Sequence, residues 1–95
     1  MMKYIKTVWI HDFEDEPNLF YHEVDKDGFE IRKILIYKDD HFALASTSIE
    51  KGDAFLSSKT IPSVHEINED AQFLAKEITC EEFEQIWAEY LYSNK

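Results

Sequence analysis

Ninety-five residues make room for one hydrophobic core and exclude a second, so the chain is read as a single domain over 1–95. With 44% apolar and 15% aromatic residues against two Gly and two Pro, it has the material for a packed core and little that favours disorder. Twenty Asp and Glu against ten Lys and Arg give a net charge of −10, which argues against binding to nucleic acid or to a membrane surface.

Residues 3–11 alternate as a strand, with Ile5, Thr7, Trp9 and His11 on one side and Tyr4, Lys6, Val8 and Ile10 on the other. Asp12–Asn18 follows as a polar loop closed by Pro17. A second strand is predicted from about Leu19 to Asp25, and Asp27–Gly28 signals a two-residue hairpin turn. That turn sets Asp25 opposite Glu30, Val24 opposite Ile31, and Glu23 opposite Arg32 as a cross-strand ion pair. A third strand covers about Phe29 to Lys38. Asp39–Asp40 then predicts a tight turn pairing Tyr37 with Phe42, Ile36 with Ala43 and Leu35 with Leu44 in a fourth strand, His41 to Thr47.

In this register one sheet face collects Trp9, Tyr21, Ile34, Ile36, Ala43 and Ala45. The other collects Val8, Ile10, Phe20, Val24, Ile31, Leu35, Tyr37, Phe42 and Leu44. Both faces are apolar, so each needs a cover. Residues 46–61 read as a connection with one short strand near Asp53 to Leu56. Ser63-Val64-His65-Glu66 is a capping box that opens a short helix to about Asp70, and Phe73–Ile78 is a short extended segment. A second capping box, Thr79-Cys80-Glu81-Glu82, opens a helix from about Cys80 to Tyr92. Its Phe83, Ile86, Trp87, Tyr90 and Leu91 form one apolar stripe. The fold expected is α+β: an antiparallel meander of about four to five strands against a C-terminal amphipathic helix, with one short extra helix.

The start of the chain, Met1–Lys6, lacks the apolar stretch of a leader peptide, and no apolar run approaches the ~20 residues of a spanning helix. The one cysteine, Cys80, has no partner for an internal disulfide, which fits a reducing compartment or indifference to redox, and the setting expected is cytoplasmic. It lies between Thr79 and Glu81-Glu82, where carboxylates oppose thiolate formation, so it is read as structural.

The densest polar cluster is His11-Asp12-x-Glu14-Asp15-Glu16. Oxygen-rich ligation would suit Mg²⁺ or Ca²⁺, but the glycine of a calcium loop is missing, and a solvated loop or a partner contact is the stronger reading. His11 and His22 are placed on opposite sheet faces, which argues against a shared metal site. Trp9, Tyr21, Trp87 and Tyr90 read as core rather than as an aromatic ligand cage. Two isolated glycines exclude a phosphate-binding loop, and no nucleophile–base arrangement has a supporting motif. No metal, no cofactor and no enzymatic activity are expected.

Two stretches carry a family resemblance. The first is Tyr4-Ile5-Lys6, Trp9-Ile10-His11-Asp12-Phe13, Asp15-Glu16-Pro17 and Tyr21-His22-Glu23-Val24-Asp25, continued by Glu30-Ile31-Arg32-Lys33. The second is Pro62, Glu66-Ile67-Asn68 and Ile78-Thr79 with Glu82-Phe83-Glu84 and Trp87. In these the chain resembles a family of small bacterial proteins known only as a domain of unknown function, over nearly its whole length. The resemblance implies no activity and no catalytic residue. In size and charge the chain is also similar to immunity proteins, an analogy of type rather than of motif.

The function expected is therefore an acidic protein-binding module, an immunity or inhibitor protein that occludes the active surface of a basic toxin such as a nuclease. Asp12, Glu14, Asp15 and Glu16 in the loop, and Glu66, Glu69 and Asp70 on the short helix, are the residues expected to face it. The alternative is a self-associating structural or regulatory domain, a homodimer in which the second apolar face meets another copy. A small metal-dependent enzyme built on His11 is the third.

Overall fold

The computed structural model describes residues 2–93; Met1, part of the run read above for a leader, lies outside them. Six strands form one antiparallel sheet: β1 Lys3–Trp9, β2 Leu19–Val24, β3 Glu30–Ile36, β4 Phe42–Ser46, β5 Glu50–Lys51 and β6 Phe73–Ile78. They lie in the order β5-β4-β3-β2-β1-β6, so the meander runs to one edge and the chain returns to add β6 beside β1. The segment expected only to be extended is thus a strand, with Tyr4 opposite Ile78 and Trp9 opposite Phe73. Helix α1 is Val64–Asn68 and helix α2 is Cys80–Leu91. Both begin at the expected capping residues: Ser63 accepts the Glu66 amide at 3.2 Å and Thr79 accepts the Glu82 amide at 3.1 Å.

The hairpins correct the expected register. The first loop closes between Asp25 and Phe29, not across a two-residue turn. The Asp25 carboxylate accepts the amides of Asp27 and Phe29, and Gly28 takes φ +90. This is a three-residue loop with its last residue left-handed, a geometry that matches the twist of the strands. Val24 therefore faces Glu30 rather than Ile31, and Asp25 does not pair with Glu30. A bulge then restores Glu23 opposite Arg32, as expected. The second loop closes between Tyr37 and His41, with Asp40 at φ 68. The pairs are Ile36 with Phe42, Leu35 with Ala43 and Ile34 with Leu44, one residue off the expected set. A slip of one residue exchanges the faces of β4.

Both faces are apolar and both are covered, but their membership differs from the expected one. Tyr21, Ile34, Ile36 and Leu44 lie under α2, which buries Phe83 and Trp87 against them. Trp9 does not share that face: Thr7 pairs with Phe20 and Ile5 with His22, which places Trp9, Phe20 and His22 on the other side. There the chain covers itself. Ala54 packs on Ala43 and Ala45, the Ser57 amide binds Glu30, and the Ile61 amide binds the Gly28 carbonyl. Then α1 lays Val64 and Ile67 over Ile5, Val24 and Ala75. The short strand expected near Asp53–Leu56 forms earlier, at Glu50–Lys51, where the Ser46 hydroxyl accepts the amides of Ser48 and Ile49 and turns the chain. On β6, the Asn68 side chain donates to the Ala75 carbonyl at 2.9 Å and accepts its amide at 2.6 Å, closing part of an open edge.

Candidate functional site

The expected site residues fall in two places. Asp12, Glu14, Asp15 and Glu16 are all exposed in the loop after β1. His11 organises that loop: its Nδ1 accepts the Phe13 amide at 2.9 Å, so the Nε2 proton is the one donated to the Pro17 carbonyl, also at 2.9 Å. Both ring nitrogens are spent on backbone, which removes His11 as a metal ligand. The ring also lies against Trp9, 4.2 Å between centroids, and Phe13 stacks on it at 5.2 Å. Phe13 itself is 58% exposed. The loop thus presents an exposed aromatic side chain stacked on the His11 ring, with four exposed carboxylates beside it in the chain.

The second place is a cavity of about 580 Å³ on the sheet face opposite α2, between β2, β3 and α1. Glu66, Glu69 and Asp70 stand along one wall; Thr7, Phe20, Leu35 and Phe73 are among its apolar and small linings. The Trp9 ring stacks with both Phe20 and Phe73, at 6.3 and 5.8 Å, and so separates the cavity from the acidic loop. His22 and His11 lie on the same sheet face, not on opposite ones, at the two ends of this aromatic row.

At the foot of the cavity sits a cluster that sequence reasoning missed. The Glu30 carboxylate, with no exposed side-chain surface, meets His22 Nδ1 at 2.9 Å, Lys33 Nζ at 2.7 Å and the Ser57 amide. Burial alone would push this carboxyl upward. Hydrogen bonds from His22, Lys33 and Ser57 outweigh it and hold the group at about 2. The signal was Asp25 at the head of an Asp-x-Asp-Gly turn: its carboxylate closes a three-residue loop and turns Glu30 inward.

A second polar network pins α2. Arg32 donates from Nε to Glu23 and by both terminal nitrogens to Glu84 at 2.9 Å, while lying over the rings of Phe83 and Trp87. The Tyr4 hydroxyl donates to the other Glu23 oxygen at 3.0 Å. Tyr21 is core under α2 and Trp87 packs down from that helix in the same cluster, with Tyr90 against Phe42; Trp9 is on the other face, so the four aromatics form no common cage. Cys80 is exposed at the start of α2.

Residues 3–92 match the family described as Domain of unknown function (DUF6881). The chain belongs to that family. The match takes in all six strands and both helices, so the acidic loop, the Glu30 cluster and the cavity lie within the family domain. No curated protein and no solved structure matches the chain. Among the described residues no helix is long and apolar enough to cross a membrane, and no three His, Cys, Asp or Glu side chains are grouped to hold a metal ion.

Proposed function

We propose that this protein is a non-catalytic, acidic binding module that neutralises a basic protein partner, as an immunity or inhibitor protein does a toxin, by occluding its active surface. The observation that carries the reading is Phe13, 58% exposed on the ring of His11 and flanked in the chain by the exposed Asp12, Glu14, Asp15 and Glu16. An aromatic anchor already stacked on its own loop has less freedom to lose on docking, and neighbouring like charges steer an oppositely charged partner and reject others. Glu66, Glu69 and Asp70 add to the same negative field across the Trp9–Phe73 stack. A nuclease suits the role, because its substrate-binding surface is basic. The setting we infer is the cytoplasm, where the exposed thiol of Cys80 stays reduced.

Capture from extracts of the parent cell tests this, with three immobilised forms: the unaltered protein, Phe13→Ala, and Asp12→Asn/Glu14→Gln/Asp15→Asn/Glu16→Gln. The unaltered form should retain a basic protein at about 50 mM salt and lose it at about 500 mM. Both variants should bind it at least about tenfold more weakly. In stoichiometric amounts the unaltered protein should abolish the captured protein's activity. Equal retention by all three forms, or retention that leaves that activity intact, overturns the reading.

A further inference from the structure

We propose that the cavity between α1 and the sheet is a second, separate site that binds a small organic cation, an ammonium or amidinium group carried on a flat or short apolar body. At about 580 Å³ it falls within the range of roughly 300–1,000 Å³ usual for small-molecule sites. Its floor is apolar and its aromatics are fixed: Phe20 and Phe73 are both braced by the ring of Trp9. Such a floor takes the body of a ligand without first having to be ordered.

The sign of the charge follows from which side chains around the cavity are already committed. The two basic side chains, His22 and Lys33, both bind the Glu30 carboxylate, whose single charge offsets that of Lys33. On the opposite wall Glu66, Glu69 and Asp70 pair with no basic side chain among the described residues. The open side of the cavity therefore attracts a cation and repels a carboxylate.

Acidic residues alone would not define a site; Thr7 is the independent observation. It lines the cavity, is 4% exposed, and its hydroxyl has no hydrogen-bond partner among the described residues. A buried hydroxyl without a partner is costly in a sheet that serves structure only, and a valine would fill the same space without that cost. The hydroxyl is covered in the structure, so meeting an occupant's N–H requires a turn about χ1 between the few wells open to a β-branched side chain.

This site does not depend on the Phe13 loop, and the test keeps the two apart. The full chain, labelled with ¹⁵N, is titrated with phenethylammonium, phenethyl alcohol and 3-phenylpropionate. The ammonium should give saturable shifts at the amides of Thr7, Phe20, Ile67 and Phe73. The alcohol should bind about tenfold more weakly, and the carboxylate should not bind. Glu69→Gln/Asp70→Asn should bring the ammonium down to the affinity of the alcohol. Thr7→Val should weaken the ammonium several-fold without lowering thermal stability, and Phe13→Ala should leave its binding unchanged. Absence of saturable shifts at these amides with all three probes overturns the proposal. So does a carboxylate that binds as well as the amine, or a short arginine peptide that fills the cavity when the free amine does not.

Discussion

Glu30 is the residue on which pH acts most directly. Its carboxyl sits at about 2 in the folded protein against an ordinary 4.5, because His22, Lys33 and the Ser57 amide favour the ionised form more than burial opposes it. A carboxyl depressed on folding contributes stability that is fully present above pH ~4.5 and is lost as pH falls from there towards ~2. The difference is on the order of 3 kcal/mol. Glu30→Gln is therefore expected to cost a few kcal/mol at pH 7, by urea unfolding, and to flatten the dependence of stability on pH between about 4.5 and 2. Equal acid slopes for both proteins would contradict that assignment. Arg32 makes the complementary case. Removing it as Arg32→Met strands Glu23, which is 7% exposed, and should cost about 3 kcal/mol. The double variant Glu23→Gln/Arg32→Met should recover part of the loss, because the orphaned charge is gone.

At the scale of the elements, the two glycines with positive φ separate backbone strain from crowding. At Gly28, φ +90, an added Cβ would meet only the Thr60 side chain at an ordinary 3.4 Å. At Gly52, φ +76, it would lie 2.9 Å from the Ala43 Cβ and 3.1 Å from its Cα, against a strand that has nowhere to retreat. Gly28→Ala should cost about 1–2 kcal/mol of conformational energy, and Gly52→Ala at least about 1 kcal/mol more. Equal midpoints in urea for the two variants would show that β4 yields at Ala43.

The same elements show where the sequence can be read and where it cannot. Helix α2 was legible to within a residue, because the Thr79 cap and the stripe from Phe83 to Leu91 are local signals. The loop lengths were not. Asp27-Gly28 and Asp39-Asp40 look like two-residue turns, but the left-handed residue is the last of three, and which geometry forms depends on the Asp25 carboxylate and on the pairing beyond. The one-residue error at the second loop put Ala43 and Ala45 on the wrong face, whereas the bulge at Glu23 and Val24 cancels the error of the first. Trp9, and His11 with it, was misplaced by the pairing of β1 with β2 across the acidic loop. The exposed loop carboxylates were legible because composition and a proline suffice to mark a loop. The cavity was not: it needs β6 beside β1 and α1 above both, placements with no local signature.

At the scale of the whole molecule, the second apolar face is covered by the chain's own 53–68 stretch. That removes the main physical drive for a face-to-face homodimer, and the net charge of −10 opposes one further. Sedimentation should give a monomer at micromolar concentrations and ordinary salt. A concentration-dependent dimer would show that the covering stretch leaves or that another surface pairs.

The place of β6 has a consequence for how the protein assembles. Strands β1 to β4 are neighbours in sequence and can zip as hairpins, but Tyr4 finds Ile78 only after most of the chain has been laid down. Closing so long a loop is slow, so the N-terminal strand should wait half-paired, one rim open, through the early milliseconds of folding. During that interval the rim is the part of the chain most exposed to a stray strand, and a chaperone, or the partner itself, would protect it best there.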